Sequence, residues 1–264
     1  MTFAAQRRNF AAAMHRFFLP PELCAGLALA LDERESHHAV GVLRVREGEV
    51  VAVLDGAGRE FRCAVRSARR KAVLLDVVET RMEPPPPFSL TLIQAVPKGR
   101  LIESIIQKAT ELGVTAVCPI LTERVATHLD GEGAELKAER WRQAAIEAIK
   151  QCGQRWLPRG EGPVKFKDCL EAASKPELAL AGALIPNALH PRVCFDRFRA
   201  ERGRNPRSVS VWIGPEGDFS PEEMRAILES GAQPATFGPL VLRCETAALC
   251  ALSIAASELR LTNW

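Results

Sequence analysis

From residue 50 to residue 78 the chain alternates apolar and polar positions with a period of two, the mark of half-buried strands. Residues 50–54, 60–65 and 73–78 each read as a strand, and Asp55-Gly56 reads as the turn between the first two. A small β domain is expected here, closed like a barrel so that few strand edges face water. Pro84-Pro85-Pro86-Pro87 then interrupts any regular element. Four prolines favour a stiff extended connector, so residues 14–83 and 88–264 are expected to form separate domains joined through 84–87.

Beyond the prolines the rhythm becomes α/β. Residues 90–95 form an apolar run, and residues 102–112 carry apolar positions at helical spacing up to Gly113, a helix terminator. Residues 114–121 read as a strand and 138–151 as a helix, followed by apolar strands at 178–185 and 209–213. Ser220-Pro221-Glu222-Glu223 supplies the N-cap, the first-turn proline and the early acids of a helix that ends at Gly231. An alanine-rich helix is expected over 246–259. Alternating strands and helices predict a parallel sheet covered on both faces.

The 264 residues are 47% hydrophobic and 25% charged, the balance of a folded globular chain. The formal charge of +3 leaves any nucleic-acid role to local patches. One such patch runs from Arg44 to Lys71, where eight Lys/Arg face four Asp/Glu and Arg66, Arg69, Arg70 and Lys71 cluster. It reads either as a solvated face or as a phosphate-attracting strip. The protein has no tyrosine, so shape and phosphate contacts should outweigh base stacking. Eight cysteines lie scattered in apolar runs without a Cys-x-x-Cys pair, which predicts buried thiols, a cytoplasmic setting and no metal. His37-His38 has no third ligand nearby in sequence. No apolar run is long enough to span a membrane. Gln6-Arg7-Arg8-Asn9-Phe10 precedes only a short apolar stretch, so residues 1–13 are expected to be a disordered extension rather than an export signal.

Candidate chemistry concentrates near the C-terminal end. The apolar run 209–213 leads into Gly214-Pro215-Glu216-Gly217-Asp218-Phe219. About twenty residues on, Phe237-Gly238-Pro239-Leu240-Val241-Leu242 closes on Arg243, Glu245 and Thr246. Glycines at strand ends let a ligand approach the backbone. The bland alternative is a strand-to-helix turn whose glycines merely fit. Neither a phosphate loop nor a dinucleotide fingerprint matches. In the helix at 102–112, Glu103, Gln107 and Glu111 form one stripe beside Lys108, which reads equally well as a solvated face.

These segments resemble the SPOUT RNA methyltransferases, and most closely the ribosomal RNA small subunit methyltransferase E family. The resemblance rests on Gly214-Pro215-Glu216-Gly217, on Leu242-Arg243-x-Glu245-Thr246-Ala247 and on Gln107-Lys108-x-Thr110-Glu111-Leu112-Gly113, and it starts at Met14-His15-Arg16-Phe17-Phe18. It implies an N-terminal PUA-like β-barrel and a C-terminal α/β domain with a deep trefoil knot. It implies methylation of a uridine N3 in 16S rRNA, in helix 44 of the small subunit, by a homodimer using S-adenosylmethionine. The rivals are another rRNA or tRNA base, or a non-catalytic RNA-binding dimer. The cofactor would be held by Leu184, Ile185, Pro186, Ile213, Gly214, Pro215, Gly217, Phe237, Gly238, Leu240, Val241, Leu242 and Thr246. Leu240 and Leu242 would sandwich the adenine, and a branched side chain at Gly217 would block the cofactor. Arg243 would stabilise the uridine anion, with Glu216 and Glu245 as base or as structural caps. RNA contacts would fall to Arg16, Lys98, Arg100, Lys108, Arg124 and Arg155 beside the basic strip, with Glu103 near the cofactor mouth. The chain departs from the family pattern at Val125, Lys150 and Gln154, where serine, glutamate and arginine are usual, and Arg155 is the nearest substitute for that arginine. The small residues Ala247, Ala251 and Ala255 offer either a dimer seam or close internal packing.

Overall fold

The computed structural model describes residues 14–124, 131–160, 162–172 and 175–260, so the expected extension at 1–13 lies outside the described residues. In chain order the elements are β1 (Arg16–Phe18), β2 (Ala28–Ala30), α1 (Glu33–His37), β3 (Val50–Leu54), β4 (Arg59–Arg69), β5 (Ala72–Met82), β6 (Ser89–Ala95) and α2 (Leu101–Glu111). There follow β7 (Ala116–Leu121), α3 (Gly131–Cys152), β8 (Arg159–Gly160), β9 (Val164–Lys165), α4 (Phe166–Ala172) and β10 (Leu178–Gly182). The chain continues with α5 (Pro191–Arg202), β11 (Ser208–Ile213), α6 (Pro221–Glu229), β12 (Gln233–Ala235) and α7 (Cys244–Arg260). The chain divides within the proline run: one compact unit ends at Pro85 but reclaims Ile149–Trp156, and the other holds Pro86–Ala148 and the chain from Leu157 onward.

The first unit is a five-stranded sheet in the order β1-β3-β4-β5-β2. Only the β1–β3 pairing is parallel. Strands β4 and β5 each run for 11 residues, well beyond the expected 60–65 and 73–78. Their pairing shifts register between Arg62 and Cys63 and again between Val65 and Ser67. Each shift breaks the period-two pattern, so the alternation read from sequence stops short of the strand. Phe17, Val51, Val53, Cys63, Val73 and Leu75 fill the core of this unit.

Residues 149–156 are tied to this unit by specific contacts. Lys150 Nζ donates to Glu35 Oε1 at 2.8 Å, and both side chains are buried. Glu35 Oε2 also accepts the Phe18 N–H at 3.3 Å. Trp156 Nε1 donates to the carbonyls of Glu83 and Pro84 at 3.2 and 3.1 Å. Its indole lies so close to Gly58, which has φ +97°, that a Cβ there would come within 2.6 Å of the ring.

The second unit holds a seven-stranded sheet with the path β12-β10-β11-β6-β7-β8, and β9 also pairs with β7. Each of these pairings is parallel. Leu90 and Leu92 of β6 share a core with Ile102, Ile105 and Ile106 of α2 and Ala248, Ala251 and Leu252 of α7. In a second core Ile93, Ala95 and Trp212 pack with Cys169, Phe219 and Ile227. Successive residues of one strand therefore feed two cores, the arrangement expected of a covered parallel sheet. Gly113 ends α2 with φ +86°, and the Arg260 guanidinium occupies the space a Cβ would need.

Four differences from the sequence reading have physical causes. Ala251 and Ala255 are fully buried in the unit's own core, so the small-residue stripe lets α7 lie close on the sheet and is not an open dimer seam. β10 ends at Gly182 rather than 185: the Ala183 N–H to the Ala235 carbonyl, at 3.0 Å, is the last rung of its parallel ladder with β12. α5 was hidden by its arginines; Pro191, Cys194, Phe195 and Phe198 mark its inner face. β12 is three residues long and holds Pro234, which no strand pattern would find. Among the described residues no helix is long and apolar enough to cross a membrane, and no three His, Cys, Asp or Glu cluster as a metal site.

Removing the Lys150 charge should strand a buried carboxylate. Lys150→Ala is expected to cost about 3–5 kcal/mol in chemical denaturation, whereas Lys150→Met combined with Glu35→Gln should recover most of it. A double variant as unstable as the single one would show that packing, not the orphaned charge, sets the loss.

Candidate active site

Because the strands of the second sheet are parallel, their carboxyl ends lie along one edge, where open α/β sheets bind ligands. A cavity of about 410 Å³ opens at that edge. Its walls are the residues after β10 (Gly182–Leu184), after β11 (213–216 and Asp218) and from β12 to the first turns of α7 (235–237, 240–245 and Ala247), with Leu101 at the start of α2.

Eight of the expected cofactor residues line it: Leu184, Ile213, Gly214, Pro215, Phe237, Leu240, Val241 and Leu242. Ile185, Pro186, Gly217, Gly238 and Thr246 lie outside the lining, within two residues in sequence of positions that are in it. Arg243, Glu216 and Glu245, expected to carry the chemistry, all reach the same cavity. Gly182, Ala183, Asp218, Ala235, Thr236, Cys244 and Ala247 line it as well and were not among the residues expected to hold the cofactor. Small residues on strand ends carry little signal of their own; only the convergence of three loops reveals them.

The backbone of the β11 loop is tightly constrained. Asp218 sits in the left-handed region with φ +61°, and its Oδ1 accepts the Phe219 N–H at 2.8 Å. A Cβ on Gly214 would lie 3.0 Å from that Oδ1 and 3.1 Å from the Phe219 nitrogen, so a side chain there needs the loop to give by a few tenths of an ångström. A Cβ on Gly182 would press on Phe237 at 3.1 Å and Ile213 at 3.2 Å. Gly217 differs: a Cβ there would meet only Arg124 Cδ, at an ordinary 3.6 Å. Against the protein's own atoms Gly214 is therefore the tighter of the two positions.

The rim is unusually apolar for a surface. Leu184, Leu240 and Val241 are 64%, 73% and 78% exposed around the opening. Such a patch beside a concave pocket marks a place that another molecule covers.

Charge gathers on one side of the cavity. Glu216 Oε1 accepts the backbone N–H of Lys98 at 3.0 Å, which joins the β11 loop to the β6 loop. Glu245 stands in the first turn of α7, where the helix dipole favours a carboxylate, and accepts from Cys244 Sγ at 3.4 Å. The Cys244 thiol is pushed up to about 12, first by burial, then by that hydrogen bond and by the charges of Glu216 and Glu245. It stays a protonated, weakly nucleophilic thiol at neutral pH. Arg243 lies at the edge beside it.

The expected RNA contacts fall into distinct settings. Arg69, Arg70 and Lys71 are exposed at the turn joining β4 to β5. Arg66 is exposed but paired with Asp76, Nε to Oδ2 at 2.9 Å. Arg16 donates to the Lys150 and Gln151 carbonyls at the end of α3, both at 3.4 Å. Arg155 is half-buried between Glu60 at 3.1 Å and Glu83 at 3.2 Å. In the second unit Lys98 and Arg100 are exposed ahead of α2 and Lys108 is exposed on it, and Arg124 Nη1 donates to the Gly217 carbonyl.

Because a thiolate forms at Cys244 only as the pH approaches 12, alkylation there should stay slow through pH 9. Iodoacetamide followed by peptide mass spectrometry should label the exposed Cys152 first. Labelling of Cys244 at an equal rate near pH 8 would overturn the assignment of a dry, acid-flanked thiol.

Residues 84–256 match the RNA methyltransferase domain and residues 31–78 the RNA methyltransferase PUA domain. The ribosomal RNA small subunit methyltransferase E of Synechocystis is 32% identical over 248 residues, spanning 90% of this chain and 76% of that protein. A Legionella pneumophila protein solved with bound cofactor SAM superposes with a TM-score of 0.82 at 31% identity, covering 93% of this chain and 98% of that one. The ribosomal RNA small subunit methyltransferase E of Neisseria gonorrhoeae, solved bound to S-adenosyl methionine, gives 0.79 at 27% identity, over 92% and 97% of the two chains. A PUA-like unit followed by a parallel-sheet methyltransferase unit, with its loops converging on one cavity, places this chain in the ribosomal RNA small subunit methyltransferase E family.

Proposed function

We propose that the protein transfers a methyl group from S-adenosylmethionine to N3 of a uridine in 16S rRNA, within helix 44 of the small subunit. The observation that carries the reading is the cavity at the carboxyl ends of β10, β11 and β12, where an apolar rim meets Arg243, Glu216 and Glu245. The residues present fit the cofactor. Gly214 leaves bare backbone at a crowded point of the wall, and Leu240 and Leu242 supply apolar faces for an adenine. The solved relatives bound to this cofactor support the same assignment.

When bound, the cofactor supplies a methyl already activated on a positive sulfur, so the protein's share is positioning and proton removal. Uridine N3 holds its proton near neutral pH, and the anion must be stabilised or a base supplied. The Arg243 guanidinium, at the cavity edge, stabilises the negative charge that develops on the uracil ring. Glu216 holds the Lys98 N–H on one oxygen and Glu245 accepts from Cys244 Sγ on one, so among the described residues each keeps an oxygen free. In this reading Glu245 takes the N3 proton and Glu216 positions the loop. Glu245→Gln is expected to lower kcat while leaving cofactor affinity near that of the parent.

The first unit grips RNA by phosphate contacts from Arg69, Arg70 and Lys71. Its sheet closing as a barrel and the second unit threading as a trefoil knot are part of this reading, as is a homodimer that covers Leu184, Leu240 and Val241. Cytoplasmic location follows from the substrate.

Gly214→Val should abolish S-adenosylmethionine binding in calorimetry while circular dichroism stays intact, and Gly217→Ala should keep affinity within about threefold, or ~0.7 kcal/mol. Unchanged affinity in Gly214→Val would sink the cofactor placement. Loss of 3-methyluridine from 16S rRNA in a strain lacking the protein, read by nucleoside mass spectrometry, tests the reaction itself; an unaltered modification profile would refute it.

Arg69→Glu with Arg70→Glu should weaken RNA binding and reduce the slope of log K against log salt by roughly 1 per charge removed, with cofactor affinity unaltered. A slope unmoved by the double reversal would exclude the β4–β5 turn from the RNA interface.

A further inference from the structure

The loops after β7 and β11 are joined through one buried carboxylate. Glu223, in the first turn of α6, accepts the Ser220 N–H on Oε2 at 2.9 Å, and Ser220 Oγ accepts the Glu223 N–H at 3.3 Å. That capping box needs only one of the two carboxylate oxygens. The other, Oε1, accepts the backbone N–H of Glu123 at 2.9 Å, in the turn that follows β7. The next residue is Arg124, whose Nη1 donates to the Gly217 carbonyl in the loop after β11. Glu223 is only 7% exposed, so both bonds form to a charged acceptor largely withdrawn from water, where they are strong. Thr122, in the same turn, adds no such bond, since its buried hydroxyl oxygen has no hydrogen-bond partner among the described residues.

We infer that Glu223 is a positioning residue: it fixes the Glu123–Arg124 turn so that Arg124 holds the Gly217 carbonyl and thereby the Gly214–Asp218 wall of the cavity. The inference rests on reading that cavity as the cofactor site. It gives Arg124 a role toward the cofactor pocket that is separate from any contact with RNA. It also explains why a helix cap should reach outside its own helix.

The test compares variants of the full chain by calorimetry with S-adenosylmethionine, alongside melting temperatures. Glu223→Gln keeps the size but only one acceptor oxygen, so one of its two backbone bonds is lost. It should weaken cofactor affinity roughly tenfold, the size expected for a lost charged hydrogen bond. Arg124→Met should give a similar loss, and the Glu223→Gln/Arg124→Met double variant should be little worse than either, because both break one chain of contacts. Ser220→Ala removes the cap but not the Glu123 bond; it should lower the melting temperature comparably and keep affinity within about twofold. Losses that add in the double variant, or an affinity in Glu223→Gln equal to that of Ser220→Ala, would overturn the proposal. If Gly214→Val abolishes binding while Glu223→Gln leaves it intact, only the positioning role falls; if Gly214→Val binds normally, the cavity reading fails and this inference with it.

Discussion

The constraint on which the functional unit depends is the parallel pairing of β6, β7, β10, β11 and β12 in one sheet. Parallel strands need a crossover after each one, so helices cover both faces and the strands must be apolar on both sides. Ile93 and Leu92 illustrate this, as adjacent residues of β6 buried in different cores. The same pairing brings the carboxyl ends to one edge. Loops far apart in sequence, at 182–184, 213–218 and 235–245, therefore become walls of one cavity without any of them being a site alone.

That edge is stiffened by hydrogen bonds between charged side chains and the backbone. Glu216 takes the Lys98 N–H and Glu223 the Glu123 N–H, while Arg124 donates to the Gly217 carbonyl. A carboxylate that accepts a backbone N–H fixes main-chain position directly, which matters where main chain itself forms the pocket wall. The apolar rim of Leu184, Leu240 and Val241 is the opposite case: it is left exposed and acquires its purpose only from what covers it.

The first unit follows a different physical logic. Its core is filled by alternating residues of a mostly antiparallel sheet, and its charged residues divide into two groups. Arg155, Lys150 and Glu35 are committed to holding residues 149–156 in place. Arg69, Arg70 and Lys71 stand exposed at a turn. Counting charges from 44 to 71 could not separate such roles, since Arg66 in the same strip is paired with Asp76. Lys150 and Arg155 are both bound to carboxylates of this unit.

Periodicity, capping and turn residues by themselves determined the class of each half, the division within the proline run, the helix ends at Gly113 and Ser220, and the loops that carry Gly214 and Arg243. These are local properties, set by backbone sterics, side-chain caps and the spacing of apolar residues, so a single sequence displays them. What it could not display depends on distant partners. The full lengths of β4 and β5 were masked by register shifts, and α5 by its arginines. The return of residues 149–156 to the first unit rests on Glu35 and Gly58, about a hundred residues away. The alanines of α7 could be read as a surface stripe until the sheet that covers them was in place. Gly214 is crowded in a way its motif does not display, because only the folded loop brings Asp218 and the Phe219 amide against it. Burial and hydrogen-bond partnership are properties of pairs, and tertiary structure alone decides which pairs meet.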